Sequence, residues 1–301
     1  MWAFACHENV IFISQRENVL SLFHVLLLAV VQGLAELLPV SSSAHVIMTE
    51  KLLGLDPSAP DMTLLLVMLH AGTMFAVIVY FWKSWVETYF SSVRAFKKNM
   101  LLIFLASLCT GIVGLLLLKV ITALYAKNAP HFEIEQLFSN TKLIAGGLAA
   151  AGLLILYSSR QKENKDGELS PKSAMIVGIV QGLCLPFRGF SRSGATISAG
   201  MASGVSRKRA EEFSFALAVA LTPPVIIKEV VRVYQHGGQA AAAGGHGAMS
   251  GILVPSLVGM VFSFLSGLLA LRWLSRWLEH GRWHLFGGYC LLAAVVVGVF
   301  G

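Results

Sequence analysis

The strongest constraint on this chain is a series of long apolar runs that are nearly free of charge. They occupy residues 18–38, 62–82, 99–118, 143–159, 173–187, 213–227, 251–271 and 283–301. A helix needs roughly 17–25 apolar residues to cross the hydrocarbon core of a bilayer. None of the runs shows the alternation of apolar and polar residues that marks a membrane β-strand. The sequence therefore predicts an all-α integral membrane protein.

The composition excludes the main soluble classes. Charged residues make up 13% of the chain, against about 25% in an ordinary soluble domain, and the mean hydropathy is +0.71. A chain this apolar is neither disordered nor a nucleic-acid binder, so we expect a lipid environment and no nucleic-acid partner. The four cysteines lack metal-ligand spacing and are interpreted as packing residues.

The net charge of +7 is informative about topology. Lys and Arg cluster in four connections, which the positive-inside rule places in the cytoplasm: 83–98, 160–172, 207–209 and 272–282. The connections near 125–140 and 235–250 are poor in basic residues, and a Gly/Ala loop is predicted at 237–251. Simple alternation fails at 18–38 and 173–187, so each is predicted to be a re-entrant helical hairpin. Residues 1–17 are interpreted as an N-terminal extension without signal-peptide features.

The two hairpin segments resemble each other. The first reads QGLAELLPVSSSAH and the second QGLCLPFRGFSRSGAT, and their glutamines, Gln32 and Gln181, lie 149 residues apart. We predict one polytopic domain, 18–301, built as an inverted repeat of about 18–160 and 172–301; chance similarity of two apolar helices is the alternative. Broken helices at matching positions of two halves usually mark a binding site near the bilayer midplane.

Three ionisable residues, Glu36, Arg188 and Arg192, fall in these segments. A charge at the bilayer centre costs about 2.5–3.5 kcal/mol by insertion scales, so such residues are functional candidates. Gln32 and Glu36 are four residues apart and share one helix face. Their oxygens could hold a divalent cation, Mg²⁺ or Ca²⁺. The alternatives to a cation ligand are that Glu36 accepts a proton or that it forms an ion pair with Arg192.

The first motif ends in a hydroxyl cluster, Ser41, Ser42 and Ser43, followed by His45. Serines after Pro39 can cap a new helix, which is the structural alternative for Ser41. Ser42 and His45 are three residues apart, so the imidazole could take the proton of the hydroxyl and activate a nucleophile.

The second motif predicts a phosphate site. A glycine-containing turn that opens a helix presents free N–H groups and the positive end of the helix dipole. Arg192 adds a planar fork that matches two phosphate oxygens. The predicted phosphate-binding residues are Arg192, Ser191, Ser193, Gly194 and Thr196, with Ser41 and Ser43 from the first motif. A capped helix with a structural arginine is the alternative.

The strings PVSSSAH, behind QGLAE, and GFSRSGATISAG closely resemble the two signature motifs of the undecaprenyl-diphosphate phosphatase, or bacitracin-resistance, family. The likeness runs from about residue 20 to the C-terminus. It implies hydrolysis of a polyprenyl diphosphate to the monophosphate, which recycles the lipid carrier for peptidoglycan synthesis. It also implies a bacterial inner-membrane protein with a site open to the periplasm and a divalent-cation requirement.

By position, the resemblance implies that Gln32 and Glu36 match the metal-binding pair of the family. Ser42 and His45 match its proposed nucleophile and base, and Arg192 its phosphate-binding arginine. Two departures stand out. Gln32 replaces a glutamate often seen first, which leaves Glu36 as the pair's one carboxylate. Arg188 is an additional arginine in a turn where many members place proline directly before glycine.

Several alternatives stay open at this level. Direct attack by His45 or by a metal-bound water would replace the serine nucleophile. A repeat of broken helices is also a transporter architecture, so a flippase of polyprenyl phosphate is the rival function, and a non-catalytic lipid-binding protein is a third. The sequence leaves the oligomeric state open, including a homodimer.

Overall fold

The computed structural model describes residues 21–55, 60–126, 140–241 and 245–300, and within these ranges the chain forms ten helices and no strand. The helices are α1 (Leu22–Leu37), α2 (Ser42–Leu53), α3 (Pro60–Tyr89), α4 (Val93–Ala126), α5 (Thr141–Ser159), α6 (Pro171–Cys184), α7 (Arg192–Ala202), α8 (Arg207–Ala241), α9 (Gly245–Glu279) and α10 (Trp283–Phe300). The predicted all-α class is confirmed. The extension at 1–17 lies outside the described residues.

The helices have the length and the surface of a membrane protein. Among the described residues, four stretches are long and apolar enough to cross a bilayer: Met62–Tyr89, Val93–Leu124, Thr141–Ser159 and Leu253–Glu279. Large apolar side chains such as Phe104, Leu115 and Leu292 are more than half exposed on the outside of the bundle. An exterior of this kind requires lipid rather than water. The protein is therefore an integral membrane protein.

Both predicted hairpins are broken at their prolines. The chain leaves α1 at Leu37 and begins α2 at Ser42, with Pro39 in the turn; α6 and α7 flank a turn that contains Pro186. At 1.5 Å per residue the 16-residue α1 is about 24 Å long, shorter than the roughly 30 Å of a bilayer core. These lengths suit helices that end inside the membrane. Re-entry itself stays a prediction.

The helices fall into two sets of five. In α1–α5 the lengths are 16, 12, 30, 34 and 19 residues, and in α6–α10 they are 14, 11, 35, 35 and 18. The first helix of each set packs against the fourth helix of the other, α1 on α9 and α6 on α4. This pairing is compatible with the predicted repeat, which stays a prediction. The opposite orientation of the halves stays a prediction.

The repeated Gln-Gly pair explains this packing. A Cβ at Gly33 would lie 1.9 Å from Ser266 Oγ and 2.6 Å from the Ser263 carbonyl oxygen, both on α9. A Cβ at Gly182 would lie 2.7 Å from the Cβ of Val113 on α4. Both glycines thus allow a broken helix to touch a long helix of the other half. These contacts hold the two broken tips in place. The first tip is the turn between α1 and α2 with the helix ends that flank it, and the second tip is the corresponding turn between α6 and α7.

A buried tryptophan fixes the position of the helix that follows the second tip. Trp283, at the start of α10, is 1% exposed. Its indole N–H donates to Ser158 Oγ on α5 at 3.1 Å and to Ser198 Oγ on α7 at 3.2 Å. The hydrogen bonds tie α5, α7 and α10 together, and α7 carries the second motif at its N-terminus.

The loop predicted at 237–251 is wrong over its described part. Helix α8 continues to Ala241 and α9 begins at Gly245, while residues 242–244 lie outside the described residues. Alanine is the strongest helix former, and its run here favours helix more than the neighbouring glycines oppose it.

Candidate active site

A polar pocket of about 340 Å³ lies where the two broken tips meet. The first tip supplies Glu36 and the serines at 41, 42 and 43. The second supplies Arg188, Ser191, Arg192 and Ser193, and α3 adds His70. The structure therefore brings together two motifs whose glutamines are 149 residues apart in the sequence.

Glu36 connects the two motifs through its hydrogen bonds. Its side chain, in the last turn of α1, is 12% exposed. One carboxylate oxygen accepts a hydrogen bond from Arg192 Nη2 at 2.5 Å. The other accepts from Ser42 Oγ at 2.5 Å and from Gln32 Nε2 at 3.1 Å. The carboxylate thus orients both the predicted nucleophile and the predicted phosphate-binding arginine.

Two helix N-termini face this pocket. Helix α2 begins at Ser42 and α7 at Arg192, so the positive ends of both helix dipoles lie at the lining. Free N–H groups and a positive dipole end favour the binding of an anion such as phosphate. An arginine between two such ends makes the pocket suited to a phosphate group.

The residues that precede the two helices behave differently. Ser191 caps α7 by accepting a hydrogen bond from the Gly194 N–H at 3.3 Å. Ser41 makes no side-chain cap on α2, and its φ of 67° is the one positive φ among the non-glycine residues that the structure describes. Such a conformation costs about 1–3 kcal/mol and is concentrated at active sites. The capping alternative for Ser41 therefore finds no support.

Gly194 and Thr196 are buried behind the pocket and do not line it. A Cβ at Gly194 would lie 3.2 Å from the Cβ of Pro39, so this glycine lets the two tips approach each other. Thr196 forms a hydrogen bond with Ser214 Oγ on α8 at 2.6 Å. Both residues position α7, and their direct contact with phosphate stays a prediction.

His45 lies in a different cavity. Its Nδ1 donates to the Ser41 carbonyl at 2.8 Å, and its Nε2 lies 2.6 Å from the Tyr289 hydroxyl. The two rings stack with their centroids 5.8 Å apart. Both ring nitrogens of His45 therefore have partners other than Ser42, and the Ser42 hydroxyl donates to Glu36 instead. The role of His45 as base stays a prediction.

The cavity that His45 lines has a volume of about 790 Å³ and is mostly apolar. It lies between α1, α2, α9 and α10 and includes Leu34, Trp273, Trp277 and Phe286. Ala35 lines both this cavity and the polar pocket. We call it the apolar chamber.

His70 on α3 is a pocket residue that sequence reasoning missed. Its Nδ1 lies 2.8 Å from the carbonyl oxygen of Leu66, so Nδ1 must donate, and Nε2 lies 3.7 Å from Glu36. The available signals were a histidine inside an apolar run and its place in the string MLHAGTMFAVIVYFW, which belongs to the stretch covered by the family resemblance. A single histidine has no second residue at a helical spacing that would indicate a site, and α3 lies outside both motifs in the sequence.

The polar pocket offers few ligands to a divalent cation. Glu36 is the one carboxylate in the described lining, and no group of three His, Cys, Asp or Glu residues suited to a metal occurs in the described residues. The Gln32 side chain presents its amide nitrogen to Glu36 and does not line the pocket. The described residues thus form no complete metal site by themselves. Glu36 fits a cation whose other ligands are phosphate oxygens, the usual way Mg²⁺ binds.

These features define a helical membrane protein with a polar pocket, suited to an anion, between two broken helix pairs. The chain belongs to the family of the bacitracin resistance protein BacA, whose family model matches residues 25–296. The resemblance carried by the two motifs is confirmed.

Named relatives cover nearly the whole chain. Undecaprenyl-diphosphatase 2 of Acinetobacter baylyi is 61% identical, over 93% of this chain and 98% of the relative. Undecaprenyl-diphosphatase 1 of Burkholderia pseudomallei and undecaprenyl-diphosphatase 2 of Burkholderia thailandensis are each 32% identical, over 92% of this chain and 95% of the relative.

Proposed function

We propose that this protein hydrolyses undecaprenyl diphosphate to undecaprenyl phosphate and inorganic phosphate. The reaction recycles the lipid carrier for cell-wall synthesis and confers bacitracin resistance. The observation that carries the proposal is the convergence of Ser42, Glu36 and Arg192 in one pocket between two helix N-termini. The names of the relatives support it, and they do not favour the flippase.

In the proposed mechanism Ser42 Oγ attacks the terminal phosphorus, and its proton passes to Glu36, which already accepts its hydrogen bond. The bond from this phosphorus to the bridging oxygen breaks, and undecaprenyl phosphate leaves with the electron pair. Water then attacks the phosphorus of the phosphoserine and the bond from phosphorus to Ser42 Oγ breaks. Glu36 returns its proton to Ser42 Oγ, and inorganic phosphate leaves with the oxygen and the protons of the water. A nucleophile with an adjacent oriented base is the usual arrangement for covalent catalysis.

Charge stabilisation is the larger part of the catalysis. Phosphoryl transfer is promoted mainly by positioning and by groups that neutralise the phosphate oxygens. Arg192 has five N–H donors, so it can keep its contact with Glu36 while its remaining donors bind phosphate. The two helix N-termini add positive potential at the pocket lining.

The sequence-based alternatives for the nucleophile and base are retained as proposals to be tested. His45 would be the base if its ring turned from Tyr289 to Ser42. Direct attack by His45 or by a metal-bound water would dispense with the serine. The hydrogen bond from Ser42 to Glu36 supports the serine mechanism with Glu36 as base.

We place the polyprenyl chain in the apolar chamber, because Ala35 joins the chamber to the polar pocket. A volume of about 790 Å³ is in the usual range for ligand sites. Leu34→Trp should fill the chamber and raise KM for a long-chain diphosphate more than for a short-chain one. Leu292→Trp, on the exposed face of α10, is the control.

A divalent cation, Mg²⁺ or Ca²⁺, is the proposed cofactor, with Glu36 as its protein ligand and Gln32 as the weaker candidate. It would neutralise charge on the diphosphate. EDTA should abolish phosphate release and added Mg²⁺ should restore it. Full activity in EDTA would remove the cation from the proposal.

We further propose that the protein resides in the bacterial inner membrane with the pocket facing the periplasm. This orientation follows from the basic connections, which belong on the cytoplasmic side. Pairing of two copies through the apolar exterior is a proposal of its own, and cross-linking in native membranes tests it.

The decisive experiment is phosphate release from undecaprenyl diphosphate by purified protein, with and without EDTA. Release by the wild type and its loss in Arg192→Lys would support the proposal. Movement of polyprenyl phosphate across vesicles without phosphate release would instead favour the flippase.

A further inference from the structure

Arg188 is the second arginine of the polar pocket, and the mechanism above does not use it. It lies in the turn between α6 and α7, lines the pocket and is exposed. Arg192 is already engaged by Glu36, so the charges of that pair largely balance each other. Arg188 lies four residues before Arg192 and brings a second guanidinium group to the same pocket lining.

The backbone around Arg188 is held firmly against α5. Gly189 has a φ of 93°, and a Cβ there would lie 2.2 Å from the Ile144 carbonyl oxygen. A Cβ at Gly147 on α5 would lie 2.8 Å from the Arg188 carbonyl oxygen. Such close approach requires glycine on both sides. The turn therefore fixes where the Arg188 side chain begins.

A buried carboxylate accompanies Arg188, as Glu36 accompanies Arg192. Glu50 on α2 is 2% exposed, and the charge of Arg188 acts on it. One oxygen of Glu50, Oε1, is buried without a hydrogen-bond partner. An unsatisfied buried acceptor is costly, and the positive charge of Arg188 offsets part of that cost by attracting the Glu50 carboxylate. Arg192 thus forms an ion pair with Glu36, and Arg188 lies within the electrostatic influence of Glu50.

We infer that Arg188 binds the second phosphate group of the diphosphate, while Arg192 binds the phosphate that is transferred, and that Glu50 is a positioning residue for Arg188. The inference rests on the proposed function. It makes Arg188 the residue that distinguishes a diphosphate from a monophosphate, because a monophosphate leaves it without a ligand.

The test measures binding and turnover separately. Inorganic pyrophosphate and inorganic phosphate are titrated calorimetrically into the detergent-solubilised full chain. Arg188→Gln should weaken pyrophosphate binding about 10- to 100-fold, the effect of one lost charge-assisted hydrogen bond, and leave phosphate binding within about twofold. In turnover, KM for prenyl diphosphate should rise while kcat changes little.

Three variants make the result specific. Arg188→Lys should recover part of the pyrophosphate affinity, because it keeps the charge without the fork. Glu50→Gln should weaken pyrophosphate binding less than Arg188→Gln, and adding it to Arg188→Gln should cause no further loss. Arg160→Gln removes an arginine at the exposed end of α5, outside the pocket lining, and should change nothing.

Unchanged pyrophosphate affinity in Arg188→Gln, or equal weakening for pyrophosphate and phosphate, would overturn the inference. Neither outcome bears on whether the wild type releases phosphate from undecaprenyl diphosphate. Absence of that release would overturn the proposed function instead. The binding titrations stay informative in that case, because they require no turnover.

Discussion

At the scale of single residues, Glu36 joins two functions through its two oxygens. Because Ser42 donates to one oxygen, Ser42→Ala and Glu36→Gln interrupt the same step. Ser42→Ala should lower phosphate release by about 10³-fold or more, and the double variant should be no slower than the worse single variant. Substrate binding should persist in Ser42→Ala, because Arg192 remains. Rates from single-turnover assays would measure these effects.

The neighbouring serine provides the control for that experiment. Ser43→Ala leaves the Glu36 contacts intact, since the Ser43 hydroxyl is 3.3 Å from Ser41 Oγ. We expect a mild effect, a loss of about 0.5–1.5 kcal/mol in stability from the one hydrogen bond that is removed. Substantial release by Ser42→Ala would show that the serine is a ligand and that another group attacks.

Arg192→Lys tests the phosphate fork. Lysine keeps the charge but cannot contact Glu36 and two phosphate oxygens in one plane. We expect kcat to fall about 10²–10³-fold, as when one preorganised donor is removed from a transition state. Steady-state kinetics should show the loss in kcat, in contrast to the KM effect expected at Arg188. Equal kcat losses at both arginines would mean that both contact the transferred phosphate.

The sequence predicts that His45 acts as the base, whereas the structure places a different histidine, His70, next to Glu36. His45 contacts Tyr289, whereas His70 lies 3.7 Å from Glu36. If His45 positions α2 against α10, Tyr289→Phe should reproduce the effect of His45→Gln, and His70→Gln should lower kcat more than either. A full loss of turnover in His45→Gln beside an unaffected Tyr289→Phe would establish His45 as the base.

At the scale of helices, the repeated glycines are the most sensitive positions. Gly33→Ala would place a Cβ 1.9 Å from Ser266 Oγ and 2.6 Å from the Ser263 carbonyl, which forces α1 away from α9. Overpacking of this kind costs about 1–3 kcal/mol. Thermal unfolding in detergent should show a lower midpoint for Gly33→Ala and for Gly182→Ala, its counterpart.

A third glycine is the matched control. Gly111 lies within α4, and a Cβ at this position would have no heavy atom within 4 Å. Gly111→Ala should stabilise the protein by roughly 0.5–1 kcal/mol, because alanine loses less entropy in a helix. An equal loss of stability at Gly33 and Gly111 would mean that close packing is not the reason for the repeated glycine.

Much of the architecture follows from the sequence because its signals are local. Pro39 and Pro186 fall in the turns that end α1 and α6, whereas Pro223, Pro224 and Pro255 lie inside helices. The two breaks were predictable because each proline is followed by a cluster of small hydroxyl residues, which favours a new helix start. The contact of α1 with α9 was not, because it depends on which long helix presents room for a glycine. The ends of α8 and α9 were misjudged because alanine and glycine give opposing signals in one stretch.

In the candidate site, the residues within the two motifs were predictable, whereas those placed by the packing of helices were not. Glu36, Ser42 and Arg192 were predicted as neighbours because each lies in a motif that is unusual inside an apolar segment. The position of His45 depends on how α2 rotates against α10, and helical spacing alone cannot give that rotation. His70 reaches the pocket from a helix outside both motifs, so its role required the assembled bundle.

At the scale of the whole molecule, the orientation in the membrane is the prediction that remains to be measured. Helix α5 separates an exposed lysine at its start, Lys142, from the basic connection that contains Lys165. Cysteines at 97 and 165 should lie in the cytoplasm, because both positions are in basic connections. In a cysteine-free background, both should resist an impermeant thiol reagent in intact cells. Lys142→Cys should react.

Permeabilised cells provide the control for this labelling experiment. All three cysteines should react there, since all three positions are exposed on the folded protein. Protection of Lys142→Cys in intact cells, together with labelling at 97 and 165, would reverse the topology. The pocket, which lies near the α5 start through the contact of Gly189 with Ile144, would then open to the cytoplasm, and a periplasmic phosphatase would be excluded. The expected pattern would instead place Arg188 on the periplasmic side, where a lipid diphosphate released outside the cell could reach it.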